Sequence, residues 1–511
     1  MEEFRRSGVA FSCGNRALEE AWAMAAGTLF SSFIEAPGIG AMLIEGADYR
    51  GCWLESTGSV CAETLSRFCP GLAESTFDAI LSSPRSDGLL PYKITAEGPA
   101  YRQVQMASPL ARSVWEHARL AGSGRSFLSR AYAAMAAHDA WLARHRDTRG
   151  TGGVEAFCAF DTGHDNSPRF WGIPDTCYLE DPARYDPGNP RLPYIAPDMT
   201  ANVACQRAHL SLIARELGDE AGARRWADLA AASEAALWRE CYDKDDECFY
   251  DKDATGRHVK VQSDVLLRVL SCDLGDGDFF AFALSRYLLD SRKFFARVPP
   301  SSVALDDPRF DADYRRNSWG GPTNALSLLR APRAFERHGR FVELLFYMEP
   351  ALEALSKAGR FCQTLDPWTG APGYGEGYVP AALCFLDFVE RSRGILPLPH
   401  GGIRLSAAGN ETCDYARNAL GSRYELSLEG DRAVARRDGS EFISFPRGLA
   451  VELDAHGAPL RVIGLTALRV VSDMRYRGAR LPLRCAGNET LAFDGAGMRR
   501  LIGGSWIAPR A

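Results

Sequence analysis

Residues 199–241 read MTANVACQRAHLSLIARELGDEAGARRWADLAAASEAALWREC. Apolar side chains recur at three- and four-residue spacing from Ala201 to Leu217 and again from Ala221 to Leu237, the period of a one-sided helix. The second run is also rich in Ala, Leu and Glu, which suits helix. Only Gly218-Asp219-Glu220 separates the two, a joint in which Gly ends one helix and Asp opens the next. Helices joined by so short a loop pack antiparallel. The stretch therefore predicts a helical hairpin, 199–217 against 219–241.

The same texture extends in both directions. Helical spacing is found over 15–32, 56–69, 71–83, 107–121 and 124–145, and beyond the hairpin over 261–273, 276–290, 320–338, 339–358 and 377–394. His338-Gly339-Arg340 is a second close joint. Six such hairpins can close into a double-layered ring whose long loops gather on one face. The intervening segments 33–55, 84–106, 146–198, 242–260, 291–319 and 359–376 are long. Loops of that length inside a compact domain usually carry function.

After Ile395-Leu396-Pro397-Leu398-Pro399-His400-Gly401-Gly402 the pattern changes. Short alternating runs such as 422–428 and 449–453 are bounded by Glu429-Gly430-Asp431, Arg437-Asp438-Gly439 and Ala455-His456-Gly457. These read as strands of a β-sandwich. The expected division is a helical domain over 1–395 and an accessory β-sandwich over 396–511.

Composition narrows the class. A net charge of −6 over 511 residues gives no reason to expect nucleic acid or an anionic membrane as partner. No apolar run approaches the ~20 residues of a membrane span. The first residues, Met-Glu-Glu-Phe-Arg-Arg-Ser-Gly, have no apolar leader core, so the expected location is the cytoplasm. The 14 Cys form no CxxC pair and several lie in apolar helical stretches, which predicts buried free thiols rather than a zinc site. Oligomeric state is open, and a homo-oligomer is compatible with the chain.

Four loop segments hold unusual side chains. The first is Phe157-Cys158-Ala159-Phe160-Asp161-Thr162-Gly163-His164-Asp165-Asn166-Ser167-Pro168-Arg169-Phe170-Trp171, in the longest loop. Asp and Asn there are equally at home as turn or helix-cap residues. The second, Gly46 to Ser56, contains Tyr49, Arg50, Trp53 and Glu55. Trp53 reads as core or as a stacking ring, and Glu55 as a cap or as an acceptor for hydroxyls. The third, Tyr314 to Asn324, contains Arg315, Arg316 and Trp319 before Gly320-Gly321-Pro322. The fourth runs from Gln363-Thr364-Leu365-Asp366-Pro367-Trp368-Thr369-Gly370 through Tyr374-Gly375-Glu376-Gly377-Tyr378.

Gly163-His164-Asp165-Asn166-Ser167-Pro168-Arg169 resembles the acid-catalyst motif of (α/α)6-barrel glycoside hydrolases: the family 63 glucosidases, the family 37 trehalases and the mannosylglycerate hydrolases. The resemblance implies a mainly α (α/α)6 toroid, a six-hairpin glycosidase, with Asp165 as general acid. Its pKa would have to be raised by burial or by a nearby negative charge, for which Asp161 and Glu155 are adjacent. Trp53 and Glu55 are similar to the early Trp-x-Asp loop of these families, with Glu in place of Asp. Arg316 and Trp319 are similar to a loop that contributes an Arg and a Trp to the pocket. Asp366-Pro367-Trp368-Thr369-Gly370 matches the loop of the catalytic base.

The resemblance thereby implies a site of His164, Asn166 and Arg169 beside the acid, with Tyr49, Arg50, Trp53, Glu55, Arg316, Trp319, Gln363, Trp368 and Tyr374 binding sugar. It also implies inversion of a small α-linked sugar or glycoside, with no metal or organic cofactor. One departure is serious. The relatives' base Glu falls on Gln363, and an amide is not a base. Glu376 is the favoured replacement, with Glu55 and Asp366 as other candidates. Alternatives on the same barrel are a phosphorylase using Arg315 and Arg316, a lyase using His164 or Tyr374, and a sugar-binding protein that has lost its base.

Overall fold

The computed structural model describes residues 2–46, 48–316, 318–493 and 497–510. The expected hairpin is present as Pro197–Glu216 packed along Glu220–Glu240. Asp219 accepts the Gly222 N–H at 2.8 Å to cap the second helix, and Gly218 takes the left-handed conformation (φ +78°) that lets the chain reverse. The two helices bury differently. Pro197–Glu216 is buried on nearly all sides, whereas Glu220–Glu240 buries one stripe, including Ala223, Trp226, Ala236 and Leu237. The first is enclosed by other elements and the second faces solvent along its polar side.

The remaining helices follow the sequence with ragged ends. Arg16–Phe30, Pro70–Leu81, Leu110–Ala121, Arg125–His145, Ala325–Arg337, Phe341–Lys357 and Val379–Arg393 all form. Expected helix 56–69 opens with a wide π turn, Ser56–Cys61, before Ala62–Leu65. Expected helix 261–273 shortens to Val265–Leu270. Val379–Arg393 is buried almost all round and packs on Arg16–Phe30 and Ala325–Arg337. It is a central helix that joins the first long helix to the last helices of the chain. No helix among the described residues is long and apolar enough to cross a membrane.

Two large antiparallel sheets hold half of the strands among the described residues. One has seven strands in the order Ala10–Cys13, Cys413–Ala419, Ser422–Glu429, Arg432–Arg437, Ser440–Pro446, Val470–Tyr476 and Ala479–Cys485. The other has six, Ile395–Pro397, Ile403–Ala407, Leu449–Leu453, Pro459–Gly464, Thr490–Phe493 and Met498–Ile502. The strand Ala10–Cys13 pairs with residues 413–416, so the first sheet borrows its edge from the opposite end of the chain. Leu405 and Val451 of one sheet and Leu426 and Phe445 of the other share a core with Trp22, Phe385 and Val389 of the helices.

Short bridges organise the long loops. Glu155–Ala156, Tyr194–Ile195, Asp251–Lys252 and His258–Val259 form one small sheet, and Thr323–Asn324 pairs with Thr364–Leu365. Pairs of two residues have no readable alternation, so spacing does not predict them. All 14 cysteines are buried and free, as expected.

Candidate active site

The acid loop is built on a fixed anchor. Asp161 is fully buried, accepts the backbone N–H groups of Val104 (3.0 Å) and Phe157 (2.8 Å), and is paired with Arg146. Burial alone would raise its pKa; the guanidinium outweighs burial and holds it below the ordinary range. Asp161 is therefore a brace, not the charge that tunes Asp165. Glu155 is likewise spent, on Arg149 at 2.9 Å and on Thr148.

The short turn Ala159–Thr162 ends at Gly163 (φ +66°), and Asn166 also lies in the left-handed region (φ +64°). Gly and Asn are the residues that tolerate this conformation best. Two such reversals three residues apart turn His164 and Asp165 inward. His164 is buried between Arg169, whose Nη1 donates to Nδ1 at 2.6 Å, and Asp264, 3.2 Å from Nε2. Its ring lies 4.6 Å from that of Trp319. Burial first, and then the nearby Arg268 charge, push His164 down to about 3, so it is neutral.

Asp165 is half-buried, and its Oδ1 is buried with no hydrogen-bond partner among the described residues. Burial raises its pKa to about 7, helped in order by the charges of Glu55, Glu45 and Asp175 and opposed by Arg268. The Ser318 hydroxyl donates to the Asp165 carbonyl at 3.2 Å, which ties the third loop to the first. Glu55 is buried and shared by Arg330 (3.1 Å) and Arg268 (3.3 Å). Arg268 also donates to the Thr162 carbonyl at 2.9 Å and lies over the Trp319 ring.

In the second and fourth loops, Tyr49 meets Trp53, Tyr374 and Tyr378 edge-on at 5.6, 6.4 and 6.1 Å. Its hydroxyl donates to Gln363 Oε1 at 3.2 Å. Gln363 is 6% exposed, and its backbone N–H donates to the carbonyls of Tyr374 and Gly375. Trp53 is half-buried with Lys93 over its face.

Several expected site residues stand elsewhere. Arg169 is 1% exposed and spends all five N–H donors on Asp198, Asp251 and His164, so none remains for a sugar. Trp319 is 1% exposed and serves as the backing of His164 and Arg268, not as a stacking surface. Arg50 and Arg315 are exposed, while Arg316, also exposed and 3.8 Å from Asp313, lines the cavity that reaches Asn166. Trp368 is exposed and packs on Phe310. Glu376 is 65% exposed and pairs with Arg360 at 3.4 Å. Asp366 accepts the N–H groups of Trp368 and Thr369 and closes their turn.

Sequence reasoning missed Glu45, Arg268, Arg330, Trp171 and Asp175. Glu45 is buried, accepts the Tyr378 hydroxyl at 2.6 Å, and is raised to about 7 by burial. The one available signal was its place, a lone carboxylate closing the apolar run Met42-Leu43-Ile44. Trp171 is exposed at an open cavity of about 500 Å³ that reaches Asn166, Asp175, Arg309 and Arg316.

A carboxyl that burial raises to about 7, set on a mainly helical scaffold, is able to hand over a proton near neutral pH, as glycosidase acids do. The model of the mannosylglycerate hydrolase MGH1-like glycoside hydrolase domain matches residues 53–379, more than half of the chain. The chain belongs to that glycoside hydrolase family.

Solved structures agree in fold. The GH63 mannosylglycerate hydrolase from Thermus thermophilus in complex with Tris superposes with a TM-score of 0.61 at 18% identity, over 73% of this chain and 100% of that one. The same enzyme in complex with glucose gives 0.60 at 18%, over 72% and 99%. The neutral trehalase Nth1 from Saccharomyces cerevisiae gives 0.51 at 13%, over 72% and 80%. No curated protein sequence matches the chain.

Proposed function

We propose that the chain is an inverting glycosidase acting on a small α-linked sugar or glycoside, with Asp165 as general acid. The observation that carries this reading is the environment of Asp165: its Oδ1 is buried without a partner among the described residues, and its pKa is raised to about 7 with Glu55 the foremost charge beside it. A carboxyl in that state holds a proton for a leaving oxygen at neutral pH. A carboxylate across the sugar, about 6.5–9.5 Å from Asp165, then takes the proton of the attacking water.

The helical hairpins close as an (α/α)6 toroid over residues 1–395, and residues 396–511 form a β-sandwich to which Ala10–Cys13 lends an edge strand. The loops between inner and outer helices supply the pocket. The family match, and a structural relative that is a mannosylglycerate hydrolase solved with glucose and with D-glycerate, favour a hexose linked to a small acid or sugar as substrate. The exposed Trp171 at the cavity beside Asn166 offers a ring to the leaving group.

The test is a screen of aryl α-glycosides, α-linked disaccharides and α-hexosyl glycerates, with the anomer of the released sugar followed by proton NMR. The expected result is turnover with inversion, abolished in Asp165→Asn with the fold intact. Full activity in Asp165→Asn, or retention of configuration, overturns the reading. Gln363 favours a second reading, a sugar-binding protein without turnover. Tight sugar binding with no hydrolysis anywhere in the screen would establish that one.

A further inference from the structure

The strand Ala10–Cys13 is the edge of the seven-stranded sheet, and its partner Cys413–Ala419 comes from the other end of the chain. Their register sets Cys13 directly across from Cys413. The Gly14 N–H donates to the Thr412 carbonyl at 2.8 Å, so that neighbouring pair carries the ladder bonds and the two cysteines occupy a non-hydrogen-bonded position. Partners at such a position have α-carbons about 4.5 Å apart, inside the range of about 4.4–6.8 Å that a disulfide spans. Both side chains point to the same inward face. Phe11 and Cys13 of one strand and Cys413 and Tyr415 of the other are buried, while Ser12 and Asp414 between them are exposed. The two sulfurs are 2.6 Å apart.

The surroundings hold this register. Phe11 packs on Trp22 at 5.2 Å and on Tyr415 at 6.4 Å, and Trp22 meets Tyr415 edge-on at 5.8 Å. Ahead of the strand, the Asn418 N–H donates to the Ser7 carbonyl at 2.7 Å. Just after it, Asn15 caps the helix Arg16–Phe30 by accepting the Ala17 N–H at 3.2 Å. The sulfurs therefore meet where the first long helix is joined to the sheet. Cys13 is 8% exposed against 1% for Cys413, and Ser12 and Gly14 on either side of it are exposed. A small oxidant reaches Cys13 first. The hydrogen bond with Cys413 lowers the Cys13 thiol to about 7 against the opposing effect of burial, which favours the reactive thiolate there.

We propose that Cys13 and Cys413 form a redox-active pair that a peroxide closes to a disulfide, tying the first strand to the C-terminal sheet. In the first step the Cys13 sulfur attacks one peroxide oxygen and the O–O bond breaks. Cys13 becomes a sulfenic acid, and the other oxygen leaves as water with the thiol proton. The Cys413 sulfur then attacks the sulfenic sulfur. An S–S bond forms, the S–O bond breaks, and the second oxygen leaves as water with the Cys413 proton. The two thiols together give up two electrons and two protons, and hydrogen peroxide becomes two waters. The bond joins residues 400 positions apart. It restricts the unfolded chain far more than the folded one, whose register already presents the two sulfurs to each other. Cys158 and Cys177 provide a comparison inside the same chain. Their sulfurs are 3.5 Å apart, but both are deeply buried, and Cys177 accepts from Arg146.

The experiment treats the folded full chain with hydrogen peroxide, blocks the remaining thiols and digests with trypsin without reduction. Cys13 is the one Cys in the tryptic peptide 7–16, and Cys413 the one Cys in 405–417. The two peptides are expected joined, at their summed mass less two hydrogens, and separated by a phosphine reductant. Oxidation is expected to raise the thermal midpoint of the wild type by at least about 2 °C and to leave that of Cys13→Ser unmoved. If Cys13→Ser does not fold, Cys13→Ala supplies the same comparison.

Cys13 carried on to sulfinic or sulfonic acid with Cys413 unlinked overturns the proposal. So does a link between Cys158 and Cys177 that forms ahead of the one between Cys13 and Cys413. Equal midpoints in the two redox states overturn the role of the bond as a staple. None of these readouts uses sugar turnover, so each outcome leaves the reading of Asp165 where it stands.

Discussion

The Glu55 carboxylate rests against the α-carbon of Gly163: a β-carbon built there would stand 1.7 Å from Glu55 Oε2. Two residues far apart in sequence therefore share one volume, and only glycine leaves it free. Gly163 also has φ +66°, a conformation that costs a side-chain-bearing residue about 1–2 kcal/mol. Gly163→Ala should then lose at least about 2 kcal/mol of stability, and its kcat should collapse because Glu55 and Asp165 cannot both keep their places. Combining it with Glu55→Asp, which withdraws the carboxylate by one methylene, should recover part of the thermal midpoint. Differential scanning calorimetry of the wild type and the two variants checks this. An unperturbed midpoint in Gly163→Ala would disprove the contact.

The contact also sets a pH dependence. Asp165 must be protonated to work, so kcat/KM should fall as pH rises through about 7. Glu55→Gln removes the foremost charge that raises it. The alkaline limb of whatever activity remains should move to lower pH, by about one unit. A limb that stays in place, measured over pH 5 to 9, would mean that Glu55 does not tune the acid.

The same shift has a stability consequence. The folded chain keeps a proton on Asp165 that the unfolded chain releases near pH 4, so stability falls as pH rises from about 4 to about 7 and levels off above. Asp165→Asn cannot ionise. It should be more stable than the wild type at pH 8, on the order of a few kcal/mol at most, and nearly equal to it at pH 4. Urea denaturation at the two pH values decides. A variant no more stable at pH 8 would show that the acid bears no such cost.

Much of the architecture was legible because it repeats. Helices such as 199–217 and 377–394 announce themselves by a period that burial enforces over many turns. The two large sheets were legible from alternation in 422–428 and 449–453. What could not be read was proximity. Asp161 and Asp165 are four residues apart and look interchangeable as a source of charge, yet Asp161 is neutralised by Arg146 from a distant helix end. Glu55 matters because it folds onto the acid loop, against Gly163, from another loop. Arg169 and Trp319 sit in segments that look like a sugar site, but the volume there is filled by their own partners. Residue type and spacing report which side chains are chemically able; only packing reports which are still free.

Arg169 illustrates the difference in a testable way. Its five donors hold Asp198, Asp251 and His164, two carboxylates and a neutral imidazole, in a fully buried knot. Lysine has three donors in another geometry and cannot span the same acceptors. Arg169→Lys should therefore cost about 3–5 kcal/mol, the usual penalty for breaking a buried ion pair. Because the site beside it is preserved or lost with the fold, sugar affinity of the remaining folded fraction should be little changed. A variant with normal thermal stability and a greatly raised KM would instead return Arg169 to the binding site.

Glu376 offers the reverse case. It lies thirteen positions after Gln363 in the same loop, which made it the natural replacement base in the sequence. Its side chain is 65% exposed and its partner, Arg360, is half-exposed at 3.4 Å. An ion pair so open to water contributes about 0–1 kcal/mol, and a carboxylate facing solvent is not held against an anomeric carbon. Glu376→Gln should keep kcat within about threefold and shift the thermal midpoint by no more than a degree or two. Steady-state kinetics decides: a drop of about 10²-fold or more in Glu376→Gln would make it the base and require the turn at 375–377 to swing Glu376 inward when sugar binds.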